Sequence, residues 1–158
     1  VHDPRLLPLV PLAFALALCG LGAAAFADGH GGRSVAMLPK YQAECAACHV
    51  AYPPGLLPAQ SWARIMGGLK QHFGTDASLD TASAAEISGW LAAHAGGSRR
   101  TAGAGDRITT SPWFVREHRE VAAATWRLPS VNKPSNCAAC HRGADQGVFD
   151  EHDVRIPR

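Results

Sequence analysis

Two short runs carry the chemistry of this chain: Cys45-Ala46-Ala47-Cys48-His49 and Cys137-Ala138-Ala139-Cys140-His141. Cys-x-x-Cys-His is the attachment pattern for a c-type haem, in which each thiol can form a thioether to a haem vinyl group and the adjacent imidazole can bind the iron. On a helical turn the two cysteines of a run lie three residues apart on one face, and the following histidine can swing toward the ring they hold. A lone Cys-x-x-Cys pair also fits half of a zinc site or a redox dithiol. The repetition of the whole pattern, histidine included, points to two covalent haems. It assigns Cys45, Cys48, Cys137 and Cys140 to attachment, and His49 and His141 to one axial position on each iron.

The second axial position has to be filled from the remaining residues. Met37 and Met66 are the two methionines of the chain, and both precede residue 96, so the second haem has no methionine in its own part of the sequence. Met66, between Ile65 and Gly67, reads as core filler. Trp62, Ile65, Leu69 and His72 form one stripe of an amphipathic helix expected over residues 58–73 and closed by Gly74, which turns His72 toward the core. Ile87, Leu91 and His94 share a face of a second helix, expected to open on a Ser83/Glu86 capping box, so His94 competes with His72. A solvated histidine at a helix C-terminus is the ordinary explanation of His94.

Farther along, Ser111-Pro112 is a helix start, a capping residue followed by proline at the first position. Phe114, His118 and Val121 then line up at helical spacing and turn His118 inward from a charged segment. A packed structural histidine would satisfy the same patterns at His72 and His118. With both on apolar faces, the expectation is bis-histidine ligation, His49 with His72 and His141 with His118. Such haems sit lower in potential than methionine-ligated ones. Two saturated irons favour electron transfer over catalysis, which needs an open position. His30, in a Gly-rich stretch, and His152, among Asp150, Glu151 and Asp153, read as solvated residues.

The elements that position these residues are short. Prolines and glycine at 53–55 stop the first attachment helix, expected over residues 40–49, and Leu56 and Leu57 follow where they can cover a ring. Residues 96–106 are rich in glycine with Arg99 and Arg100, a natural linker. Residues 121–135 are irregular, and Asn136 leads into the second attachment helix. The fold expected is therefore mainly α, with two small haem-centred lobes at residues 28–95 and 107–158, the second largely irregular with short helices.

The chain has 158 residues, of which 47% are hydrophobic, with a formal charge of +2. The run from Leu6 to Ala27 is almost wholly apolar and ends Ala25-Phe26-Ala27 before Asp28, the pattern of a secretory signal removed after residue 27. An uncleaved membrane anchor is the competing reading of that run. Cys19 lies within it, after Leu18, which does not suit lipidation. The four remaining cysteines are all used by the two motifs, so the haems take the place of the disulfides common in small exported domains. No concentrated basic stripe with interleaved aromatics is present, which argues against nucleic-acid binding.

Beyond the attachment motifs, the continuation Val50-Ala51-Tyr52-Pro53-Pro54-Gly55-Leu56-Leu57-Pro58, with Ser61-Trp62, Ile65-Met66, His72-Phe73-Gly74 and Leu79-Asp80, resembles the small soluble dihaem cytochrome c family, DHC. So do Pro112-Trp113-Phe114 with Glu117-His118, and the run from Cys137 to Ala144 with Gly147 and Phe149. The resemblance implies an N-terminal lobe like a class I cytochrome c, a C-terminal lobe of less usual fold, and low-potential bis-histidine haems with His72 and His118 as distal ligands. It also implies a periplasmic electron carrier, not an enzyme, taking electrons from a membrane b-type cytochrome to a small oxygen-binding monohaem cytochrome of the SHP type. Two rivals stand beside it. One is the small dihaem subunit of a periplasmic nitrate reductase; the other is a haem enzyme or gas binder with one open iron, against which the short chain argues.

Overall fold

The computed structural model describes residues 35–97, 101, 103 and 105–158; the expected signal at residues 1–27 lies outside them. The described residues gather into one compact unit. The architecture is mainly helical: the described residues form four α-helices joined by single turns of 3-10 helix. Among the described residues, pairing of extended backbone is confined to two isolated bridges, His72 with Thr75 and His141 with Val154. No described helix is long and apolar enough to cross a membrane.

Helix α1 spans Pro39–Cys45, with Pro39 in its first turn, where a missing N–H costs nothing. It is shorter than expected: the chain leaves the helix at Cys45, and Cys48 and His49 lie in the turn that follows. Helix α2 spans Ala59–Gly67, and the expected run to residue 73 is broken at Gly67-Gly68. Two successive glycines add about 1 kcal/mol each to the cost of continuing a helix. The chain instead makes one tight turn, Leu69–Gln71, and delivers His72 from it. Helix α3 spans Thr81–Ala93 and is capped one turn earlier than the sequence pattern suggested. The Asp80 carboxylate accepts from the Ser83 N–H at 2.9 Å, so Ser83 is inside the helix and buried. An acidic side chain at that position also complements the helix dipole.

Helices α1 and α2 both pack on α3. Between them lie Tyr41, Ala51, Leu57, Trp62, Ile87 and Leu91, with Met37, Met66 and Ile108 partly buried at the edge. Ile87 and Leu91 have no exposed surface, and each contributes about 1.5–3 kcal/mol. Trp62 spends its polar edge on the Pro54 carbonyl at 2.8 Å, and Leu56 and Leu57 are buried beside it. Gly96 comes so close to the Gly55 carbonyl and the Thr101 methyl that a Cβ has no room there. Its N–H donates to the Leu57 carbonyl at 2.9 Å, which ties the end of α3 back to this core.

Helix α4, Pro112–Glu117, begins as its sequence predicts: the Ser111 hydroxyl accepts from the Phe114 N–H at 3.1 Å. Six residues are too few to hold a helix without tertiary support. That support comes from buried Phe114; Val131 and Ala144 are the other buried apolar residues of this half. The second attachment motif forms one 3-10 turn, Cys137–Ala139, in place of the expected helix.

Candidate haem-binding centres

The turn after α1 presents His49, and the turn after α2 presents His72, with their ring centres 6.1 Å apart and their planes at 26°. The end of α4 presents His118 and the second motif presents His141, again 6.1 Å apart, with planes at 71°. A metal–imidazole bond is about 2 Å, with about 1 Å more to the ring centre, so two imidazoles on opposite sides of one ion stand about 6 Å apart. Both pairs have that spacing.

The backbone around each pair fixes ring position. The His49 Nδ1 lies 2.7 Å from the Val50 carbonyl, and the His118 Nδ1 lies 2.9 Å from the Phe114 carbonyl. As donors to those carbonyls, the two rings keep Nε2 free to accept a metal, the arrangement that second-shell partners commonly impose. His72 is held by its own backbone: its N–H donates to Leu69 and its carbonyl accepts from Thr75. Phe73, at φ 49°, and Gly74, at φ 97°, make the turn between them. A left-handed bulky residue is strained, and this one sits beside a proposed ligand. Arg107 covers the exposed Phe73 ring, 4.2 Å from its centre.

Around the second pair, the His118 ring stacks on Phe114 at 3.9 Å, with Trp126 at 5.9 Å, and Phe149 lies 5.4 Å from His141. The chain's end closes over the motif: the Arg155 N–H donates to the Cys140 carbonyl at 2.8 Å, next to the His141–Val154 bridge. Sequence reasoning missed this clamp, whose signal is the apolar pair Val154 and Ile156 in a charged tail.

Several observations fit a haem at each pair. Burial, and secondarily the neighbouring His49, hold His72 below the usual imidazole range; burial and then His118 do the same for His141. Neutral imidazole is the form that binds metal. The His141 Nδ1 is a buried nitrogen with no hydrogen-bond partner among the described residues, so no carbonyl there holds this ring as Val50 and Phe114 hold those of His49 and His118. The four motif cysteines are free thiols. Burial pushes Cys45 up to about 11 and raises Cys137 and Cys140, the opposite of the lowered thiol of a redox dithiol. Among the described residues no three His, Cys, Asp or Glu side chains converge to hold a metal by themselves. A porphyrin supplies four ligands of its own, so a pair of imidazoles is a set that would complete the coordination of its iron.

The remaining histidines stand apart from these pairs. The His94 Nδ1 is engaged with the Trp90 carbonyl at 2.8 Å, and the ring contacts Trp90. His152 is exposed in the tail, and His30 lies outside the described residues.

The dihaem cytochrome c family profile matches residues 41–149, more than half of the chain and both motifs with both histidine pairs. The chain belongs to the dihaem cytochrome c family. Two c-type haems are therefore its cofactors, and electron transfer is its activity. It is similar to the solved dihaem cytochrome c of Rhodobacter sphaeroides, with 44% identity over 73% of this chain and 98% of that one, and a TM-score of 0.66. A second structure, DHC purified from Rhodobacter sphaeroides, shares 46% identity over 73% of this chain and 99% of its own, with a TM-score of 0.63. The dihaem cytochrome c of Shewanella baltica shares 40% over 75% and 92% of the two chains, with a TM-score of 0.68. No curated protein sequence matches significantly.

Proposed function

We propose that this dihaem cytochrome is a periplasmic electron carrier with two low-potential, bis-histidine haems, His49 and His72 on one iron and His141 and His118 on the other. The observation that carries the ligand set is the common 6.1 Å ring separation of the two pairs. A c-type haem supplies a one-electron iron couple. The chain's own residues do the rest. Four cysteines would anchor the two groups, and the paired imidazoles would ligate both irons and hold their potential below that of a methionine-ligated haem. Phe114, Trp126 and Phe149 pack around the second pair, while Val50 and Phe114 carbonyls fix ring orientation. With both histidines of a pair bound, a haem would exchange electrons without a change of ligands.

Export to the periplasm is supported by the apolar run from Leu6 to Ala27 with its small-residue ending. The partners follow from the family resemblance: a membrane b-type cytochrome as donor and a small oxygen-binding monohaem cytochrome as acceptor. The test is the visible spectrum of the reduced holoprotein before and after carbon monoxide, with haem content from the same sample. Two haems per chain and an unchanged spectrum are expected. Ready binding of the gas at one haem would remove a histidine from the ligand set and favour a gas-binding or enzymatic role.

A further inference from the structure

Residues 69–77 form a loop that presents His72. The Ala77 N–H donates to the Leu69 carbonyl at 2.9 Å across its base, and the Thr75 N–H donates to the His72 carbonyl at 3.0 Å. The imidazole itself is held differently from its counterpart in the other pair. His118 has the Phe114 carbonyl at its Nδ1, whereas the His72 ring meets the ring of Phe73, with centres 4.9 Å apart and planes at 62°. Phe73 keeps a left-handed backbone at φ 49° while 48% exposed, so neither local preference nor burial accounts for a bulky aromatic there. A second contact on that ring comes from Arg107, whose guanidinium carbon lies 4.2 Å from its centre. Arg107 stands between fixed neighbours. The Gly105 carbonyl accepts from the buried Ser61 hydroxyl at 2.9 Å, the Asp106 carboxylate is gripped by Arg64, and Ile108 packs against the core.

We propose that Arg107 and Phe73 are positioning residues for the first haem: the guanidinium clasps the Phe73 ring, and that ring steadies the His72 imidazole in its place opposite His49. A cation over an aromatic face is drawn to the negative charge of the ring, and the planar guanidinium suits that contact better than an ammonium. The clasp opposes the relaxation that the strained backbone of Phe73 favours. Phe73 and His72 share one peptide group, so a change in the φ of Phe73 swings that group and turns the neighbouring imidazole with it. In the second pair Phe114 does the same service from within one helix, by stacking on His118 and by its carbonyl. The first distal histidine is instead secured from residues 105–108, more than thirty positions along the chain, and removing that contact makes it the easier of the two to displace. The inference rests on the reading of His72 as the distal ligand.

Arg107→Met keeps the length of the side chain and removes the cation; Phe73→Leu keeps bulk and removes the aromatic face. In oxidised holoprotein with two haems per chain, cyanide is expected to bind the first haem about two- to fivefold faster in Arg107→Met than in wild type, the factor that an exposed cation–π contact corresponds to. Phe73→Leu should accelerate it at least as much. The low-spin electron paramagnetic resonance signal of the first haem should shift as the His72 plane turns, while the second haem keeps its signal and its rate. The double variant should be no faster than Phe73→Leu, because Arg107 acts through that ring. Unchanged or slower cyanide binding in Arg107→Met, as the loss of a surface cation alone would give, overturns the proposal. So do additive effects in the double variant, or equal acceleration at both haems. If Phe73→Leu does not assemble, Arg107→Met decides alone. An open first iron in wild type, seen as a high-spin signal before any substitution, would instead remove His72 from the ligand set and take the clasp with it, which separates the two failures.

Discussion

The imidazole of His118 lies 6.1 Å from that of His141 with the two planes crossed at 71°. His49 and His72 keep the same separation with planes only 26° apart. In a low-spin ferric haem, near-parallel axial rings split the iron orbitals that point between them, whereas crossed rings leave those orbitals almost equal in energy. The oxidised holoprotein should therefore give two distinct low-spin electron paramagnetic resonance signals in equal amounts. One should be a rhombic signal from the first haem and the other a strongly anisotropic signal from the second. Two identical signals would mean that the planes rotate on haem binding. A high-spin signal would mean that one pair does not ligate.

Phe114 supports the second pair twice, through its ring against His118 and through its carbonyl at the His118 Nδ1. It is 7% exposed, so Phe114→Ala should cost about 3–5 kcal/mol of stability. The carbonyl survives the substitution, but the stacking surface does not. His118 then loses its packing, and the second haem should bind carbon monoxide while the first stays closed. Chemical denaturation and a gas titration on the same sample check both parts.

The attachment residues were legible because their chemistry is local: cysteine spacing and the next histidine need no tertiary structure to be recognised. The placement of His72 beside His49 was legible for a partly wrong reason. The stripe from Trp62 pointed to it, but α2 ends at Gly67 and His72 reaches His49 from a tight turn beyond the helix. Periodicity carries no penalty for adjacent glycines unless the cost is counted. The N-cap at Asp80 in place of Ser83 is the same kind of miss, since both residues present a capping oxygen and the backbone decides between them. The Tyr52–Ser135 bond joins positions 83 apart in the chain and the Arg155–Cys140 bond spans an irregular tail, and no local pattern encodes either.

The tail clamp gives the next prediction. Val154 and Arg155 hold the backbone of His141 and Cys140. Truncation after Phe149 should still yield two covalent haems, because the thioethers do not depend on the tail. The second haem should become more accessible, with faster cyanide binding than in the full chain and an altered potential, while the first keeps its own. Equal effects on both haems would show the tail to act on the whole fold instead.

Arg64 and Asp106 give a prediction in pH. The Arg64 guanidinium donates to both carboxylate oxygens of Asp106, at 2.6–3.1 Å, and to the Ser61 hydroxyl at 3.1 Å. Buried Ser61 in turn donates to the Gly105 carbonyl at 2.9 Å, so the pair fastens this segment to α2. The hydrogen bond from Arg64 holds the Asp106 carboxyl below its ordinary value of 3.8. The folded state therefore binds this proton less readily than the unfolded state. The stabilisation is fully present above pH 3.8 and is lost as pH falls through the lower folded value. Both side chains are well exposed, so the effect is small and salt-sensitive. Asp106→Asn should lower the denaturation midpoint at pH 7, and its deficit against wild type should shrink on going below pH 3.8. A deficit that holds constant through that acid range would assign the loss to the shape of the segment rather than to the charge.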